Sequence, residues 1–297
     1  MDTLKNKVDF AVIINVNNAN PNGDPLNGNR PRVNYDGIGE LSDVCIKRKI
    51  RNRLMHRYSE LENKEKEGQA VFVQSDDNKL DDYPSLRSRA EGELEKKYWK
   101  DEKSFFDAVC AKWIDVRAFG QVFAYASEKK GEGVSIGVRG PVSIHSAFSV
   151  APVSDRIISI QITKSVSGEG EGKKKASDTM GMKHRVDHGV YVFYGSMNPQ
   201  LATKTGFADE DAKAIKQALM TLFRNDASSA RPEGSMEVHK VYWWEHNSAN
   251  GQYSSAKVHR LLEVKSKPDK QEPKAIGDYD IILNKLKNLN CEEIDGE

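Results

Sequence analysis

Between Val8 and Asn17 the apolar positions recur at every second residue, Phe10, Val12, Ile14 and Val16, in a run rich in β-branched side chains. That period predicts a strand with one face on a core. Asn18 to Gly39 is crowded with Asn, Gly and Pro and predicts a long, shaped loop. From Leu41 the apolar spacing opens to that of a helix, with Ser42 or Asp43 able to cap its start. Ile46, Ile50, Leu54 and Leu61 fall on one stripe, so the helix is expected to run on into the charged stretch Glu60–Glu67. Residues 70–107 are acidic and mixed, with helical pieces near Leu86–Tyr98 and Ser104–Trp113.

The second half alternates more cleanly. Arg156–Lys164 (Ile158, Ile160, Ile162) and Gly189–Ser196 (Val190, Val192, Tyr194) predict two strands. Between them, Ser165–Thr179 is a Gly/Ser/Lys/Glu stretch without a hydrophobic face and is expected to be mobile. Asp209–Arg224 predicts an amphipathic helix on Ile215, Leu219, Leu222 and Phe223, and Met236–Glu245 a fourth strand on Val238, Tyr242 and Trp244. From Ser266 the chain is polar, with a short helix expected at Tyr279–Leu289. With the insertion set aside, the order is β-α-β-β-α-β. That is an α+β, ferredoxin-like arrangement, shared by RNA-recognition (RRM) folds.

Composition excludes more than it assigns. The chain has 297 residues, enough for one elaborate domain, and 30% are charged with a net charge of +1. Met1–Lys7 lacks the apolar core of a signal peptide, and the longest apolar run, Phe10–Ile14, is too short to span a bilayer. Cys45, Cys110 and Cys291 fit neither a disulfide framework nor a zinc knuckle, so a reducing, cytoplasmic setting is expected. The usual nucleotide-binding and hydrolase motifs are absent, and no cofactor or metal is expected.

Charge distribution changes that picture. Residues 30–57 hold eight basic and three acidic residues, a net +5; residues 58–107 hold nine and fourteen, and the tail from 266 five and eight. Arg48, Lys49, Asn52 and His56 fall opposite the apolar stripe of the first helix, as a solvated face would. Lys47 and Arg51, four apart, border the stripe instead. They either snorkel or pair with carboxylates, or they hold successive phosphates with Arg30 and Arg32 from the preceding loop.

Asn20-Pro-Asn-Gly-Asp-Pro25, Asn29-Arg-Pro-Arg32 and Leu41-Ser-Asp-Val-Cys-Ile-Lys-Arg-Lys-Ile-Arg51 resemble the backbone subunits of CRISPR Cascade complexes, in the RAMP superfamily. The likeness is strongest to the type I-C member. It continues through Asp115–Gln121, Ile136–Ile144, His184–Tyr194 and Asn225–Trp244, and covers roughly residues 8 to 262.

The resemblance implies a single hand-like domain. An RRM-like palm takes about 8–57 and 150–262, a finger insertion about 58–118 and a thumb β-hairpin about 119–145, with a polar tail at about 266–297. It further implies a non-catalytic subunit stacked in many copies along CRISPR RNA, presenting the guide to target DNA. The other expected partners are the Cascade capping and RNA-processing subunit and the large subunit, with no membrane. Lys47 and Arg51 would contact the guide backbone, flanked by Arg30 and Arg32. Arg117, Phe119, Gln121 and Arg139 would lie at the base of the hairpin, whose tip is Glu128–Gly133; Phe119 is equally a core residue. Ser228, Ser229 and Arg231 would sit in a polar loop near the RNA.

Two enzyme readings compete. His184 and His188 would share a face on a helix, but in a strand they stand about 13 Å apart, which disfavours a metal site; His145 and His239 are expected to be strand-face residues. Asp24 is the candidate centre of a metal-dependent RNA endonuclease, as in type III relatives, against the simpler role of an Asx turn holding its own loop.

Overall fold

The computed structural model describes residues 2–125, 134–163 and 180–297. In chain order, β1 (Val8–Ala19), β2 (Gly23–Asp24), β3 (Arg30–Pro31) and β4 (Ile38–Leu41) lead into helix α1 (Asp43–Glu60). The insertion carries α2 (Leu86–Glu93), α3 (Glu102–Lys112) and α4 (Ile114–Phe119), then β5 (Gln121–Tyr125) and β6 (Val134–Val138). After these come β7 (Val142–Ile144), β8 (Ala147–Pro152), β9 (Ile157–Thr163) and β10 (Met180–Met197). The last part comprises α5 (Pro199–Thr205), α6 (Asp209–Met220), β11 (Met236–Glu245), α7 (Ser255–His259), β12 (Leu262–Ser266), β13 (Tyr279–Leu283) and β14 (Glu292–Asp295).

Among the described residues, eight strands form one antiparallel sheet in the order β14-β11-β1-β10-β8-β4, with β7 and β9 also paired to β10. The architecture is mixed α/β around this sheet. β1 is its axis, and every residue from Val8 to Val16 is buried. The alternation explains half of that: Phe10, Val12, Ile14 and Val16 meet Ile46, Ile50 and Leu54 of α1 and Ile215 and Leu219 of α6 in the main core. Ala11 and Ile13, on the other face, meet Val258, Leu262 and Tyr279 in a further core.

That second face is closed by the region read as a polar tail. Tyr279–Leu283 is a strand rather than the start of a helix, with Tyr279, Ile281 and Leu283 alternating and β13 pairing β12 antiparallel. Tyr279, Ile281 and Leu283 follow a period of two toward the core, while Ile282 between them is exposed. α1 ends at Glu60; beyond it Glu62 opens a short 3₁₀ turn over Asn63–Glu65 instead of extending the helix. β10 is twice as long as its apolar alternation indicates, because its first half is held by the β9 ladder from Met180↔Thr163 to Val186↔Ile157. β1 stops at Ala19, opposite Val186, so β9 and the start of β10 continue alone as a two-stranded ribbon. Ile160, Ile162 and Met182 are exposed on it.

The insertion has its own core of Phe72, Phe105, Val109 and Trp113, onto which Phe123 of β5 and Val138 of β6 pack. β5 and β6 pair from Gln121↔Val138 to Tyr125↔Val134. At the base of this pair the backbones nearly touch: a Cβ on Gly140 would collide with the Ala118 carbonyl oxygen, and Gly120 (φ 81°) lies against Val138. The expected tip at Glu128–Gly133 and the stretch Ser165–Thr179 lie outside the described residues. Among the described residues no helix is long and apolar enough to cross a membrane.

Candidate nucleic-acid interface

The Asn- and Gly-rich loop after β1 is a compact, self-bonded turn. Asp24 Oδ1 accepts the Leu26 N–H at 3.1 Å, Gly28 and Asn29 take left-handed backbones (φ 57° and 59°), and β2 pairs with β3. Asn20 Nδ2 donates to the Asn29 carbonyl at 2.7 Å. Two further bonds seat the loop. Asn22 Oδ1 accepts both the backbone N–H and the hydroxyl of Ser42 at 2.9 Å, fastening the loop to the residue that caps α1. The Asn20 N–H donates to the Ala230 carbonyl at 2.9 Å, fastening it to the segment before β11. Asp24 thus acts as an Asx-type cap.

α1 meets this assembly with four cations, each differently placed. Lys47 lies 3.0 Å from Asp43 one turn earlier, with both side chains partly open to solvent. Arg51 donates from Nε to Asp115 at 2.9 Å, and its guanidinium stands 5.2 Å from the centre of the Phe119 ring. Asp115 is fully enclosed and also accepts the N–H groups of Phe72 (2.7 Å) and Val73 (3.1 Å). Arg48 stays half exposed, 4.0 Å from Asp77.

Lys49 departs from expectation. It is not on a solvated face but 3% exposed, paired with Asp226 and stacked on Phe223. The segment after α6 folds over that side of α1, which the helical period alone cannot show. Burial pushes the Lys49 ammonium below its ordinary pKa, opposed by the Asp226 charge.

Comparison with known proteins gives this arrangement a family. A family model described as CRISPR-associated protein Cas7 matches residues 6–284. The chain belongs to the Cas7 family. It is similar to a CRISPR-associated protein Cas7 of Haloferax volcanii, 25% identical over 247 residues, which cover 76% of this chain and 67% of that protein. Among solved structures it is similar to a chain of a "CRISPR RNA-guided surveillance complex, pre-nicking" (TM-score 0.46, 14% identity, 80% of this chain and 78% of that one). A chain of a second "CRISPR RNA-guided surveillance complex" gives a TM-score of 0.42 at 16% identity, covering 80% of this chain and 68% of that one.

The remaining candidate residues of this Cas7-family chain divide between surface and interior. Arg30 is partly exposed and donates to Ser159 Oγ on β9 at 3.1 Å, and Ser159 is 2.8 Å from His184 Nδ1. Burial and the Arg30 charge lower the pKa of His184. Arg32 stands 3.8 Å from Asp24 and keeps a buried Nε without a partner among the described residues. Arg139 is exposed beside β6 and makes no hydrogen bond or ion pair among the described residues. Gln121 Nε2 donates to the Val122 carbonyl at 3.1 Å. Ser228 is exposed and exchanges backbone hydrogen bonds with Arg231, whose Nε donates to Asp226 at 3.2 Å.

Arg117 lies in the interior. Its Nε and Nη2 grip Asp211 at 2.8 and 2.6 Å, and Nη1 donates to the carbonyls of Gly68 and Cys110. Phe119 packs against the main core as well as under Arg51. His188 bonds Asn17 Oδ1 at 2.8 Å and does not join His184; among the described residues no group of three His, Cys, Asp or Glu could hold a metal ion. His145 packs edge-on against His259 at 5.6 Å. Three residues that organise the site were not singled out from the sequence: Lys49, Asp115 and Asp226. Only Asp115 carried a signal, as an acid between Trp113-Ile114 and Val116 at the start of the matching stretch Asp115–Gln121.

Proposed function

We propose that this chain is a non-catalytic backbone subunit of a type I-C Cascade complex in the cytoplasm, binding CRISPR RNA and stacking in many copies along it. The guide it carries pairs with target DNA, and a capping and RNA-processing subunit and a large subunit complete the assembly. The observation that carries this reading is that α1 gathers the loop bearing Arg30 and Arg32 at its Ser42 cap, the Ser228–Arg231 loop at Lys49 through Asp226, and the hairpin base at Arg51 through Phe119. Such a surface offers cations and hydroxyls to phosphate. That suits a carrier which must accept any guide sequence.

The strand order β11-β1-β10-β8, with α1 and α6 on one face, supports an RRM-like palm. The opposite face, where an RRM stacks bases, is covered here by β12, β13 and α7. RNA is therefore read as running past α1 and the loop. We also read the projecting thumb as the β9–β10 ribbon rather than residues 119–145. β5 and β6 bury Phe123 and Val138 in the insertion's core, whereas the ribbon stands beyond β1 with apolar side chains exposed.

Electron microscopy of the full chain co-expressed with a guide RNA tests the reading. Curved filaments that disappear on ribonuclease treatment are expected, and discrete RNA-free monomers would overturn it.

A further inference from the structure

Apart from Arg139, the cations discussed around α1 already have partners, but these differ in how easily they can be given up. Asp115 holds Arg51 from a fully enclosed position while also serving two backbone N–H groups. Arg117 and Asp211 are both buried, and Lys49 is 3% exposed against Asp226. Withdrawing any of these cations would strand a carboxylate away from water, at a cost of several kcal/mol. These pairs are fixed parts of the fold.

Lys47 and Asp43 are different. Their side chains are 23% and 40% exposed, and the pair spans a single helical turn. An exposed pair of this kind is worth about 0.2–1 kcal/mol, so a phosphate can take the lysine. Asp43 is also the first residue of an 18-residue helix, where free backbone N–H groups favour an anion. Its carboxylate therefore stands where a phosphate bound by Lys47 would stand.

We propose that Asp43 is a built-in counter-anion of the RNA groove. It holds Lys47 when no guide is present and releases it to a guide phosphate. It thereby sets how much affinity the groove shows for any single-stranded polyanion. This rests on the RNA-binding reading above.

The test uses the full chain and a labelled single-stranded guide RNA, titrated over a range of salt concentrations. Asp43→Asn should tighten binding by about 1.4- to fivefold, the worth of the lost pair. It should also steepen the dependence of log K on log salt by up to about 0.7, one phosphate's share, because no freed carboxylate recaptures a cation. Asp43→Ser should do the same, which guards against a folding defect in one variant. In a Lys47→Ala background the gain should vanish. Asp107→Asn, which opens a matching pair with Lys103 on α3, should leave binding unchanged. If Lys47→Ala weakens binding while Asp43→Asn does nothing, the counter-anion role is wrong and the groove stands. A gain that persists without Lys47, or that Asp107→Asn reproduces, also overturns it as mere net charge. If neither Lys47→Ala nor Asp43→Asn has any effect, the groove itself is misplaced.

Discussion

Asp115 and Asp9 are both fully enclosed carboxylates, and each ties distant parts of the chain together. Asp115 joins α1 to the insertion through Arg51 and the Phe72 and Val73 N–H groups. Asp115→Ala would leave a guanidinium and two buried donors unpaired. It should lower unfolding free energy by about 3–5 kcal/mol in denaturant titration. Asp9, at the start of β1, receives the Nε2–H of His246 at 2.9 Å and lies 3.1 Å from Lys7. His246 Nδ1 accepts the Gln252 N–H, which leaves its ring proton on Nε2. Burial alone would raise the Asp9 pKa, but His246, Ser255 and Lys7 outweigh it and hold it below the ordinary carboxylate range. Such a group stabilises the fold above its unfolded value of about 3.9, and that contribution is lost as pH falls through the folded value. His184, His188 and His259 have pKa values lowered chiefly by burial, so the fold keeps them neutral while the unfolded chain takes up protons below about pH 6.5. Thermal stability should therefore decline in two stages, first below about pH 6.5 and then below about pH 4. Asp9→Asn should be less stable at pH 7 and should show a smaller second stage, since other carboxylates held low by partners, Asp81 beside Arg89 among them, still contribute to it.

At the scale of elements, what the sequence disclosed followed from periodicity. β1, α6 and β11 have strong apolar spacing and stand close to where it puts them. α1 does too, except for its C-terminal end, where the charged Glu60–Glu67 stretch was read as helix. Elements held mainly by partners were hidden: the first half of β10 relies on β9, and β13 takes its order from β12. The site divides in the same way. Lys47 and Arg51 were visible as cations beside a stripe, but Lys49 looked solvated because nothing local shows that residues 223–226 will cover it. The β9–β10 ribbon allows a test at this scale. Ile160 and Ile162 are each more than one-third exposed, so Ile160→Ser with Ile162→Ser should change stability by only about 0.5 kcal/mol. If the ribbon wedges against the guide, the double variant should nevertheless weaken RNA-dependent filament formation. Unchanged filaments would return the thumb to β5–β6.

Across the whole molecule, the net charge of +1 conceals an arrangement in space. The acidic β14 lies at one edge of the sheet, where Glu292 pairs with Lys216 and Glu293 and Asp295 with Lys240. β4, at the opposite edge, leads into α1, whose basic run Lys47–Lys49 begins one turn in, after Asp43. A near-neutral chain has little long-range attraction for a polyanion, so the RNA binding proposed above must draw on local contacts. On the proposed reading, three cations among the described residues are placed to supply them: Arg139, exposed and without a partner, Arg30 on a neutral Ser159, and Lys47 on an exposed Asp43. Arg30→Ala with Lys47→Ala should weaken guide binding and flatten the salt dependence of log K by about 0.7–1.4, since each single-strand phosphate contributes about 0.7 and Asp43 masks part of the share of Lys47. Because phosphate contacts carry no sequence information, two guides of equal length and unrelated sequence should lose affinity equally. A loss confined to one guide would mean that these side chains touch bases.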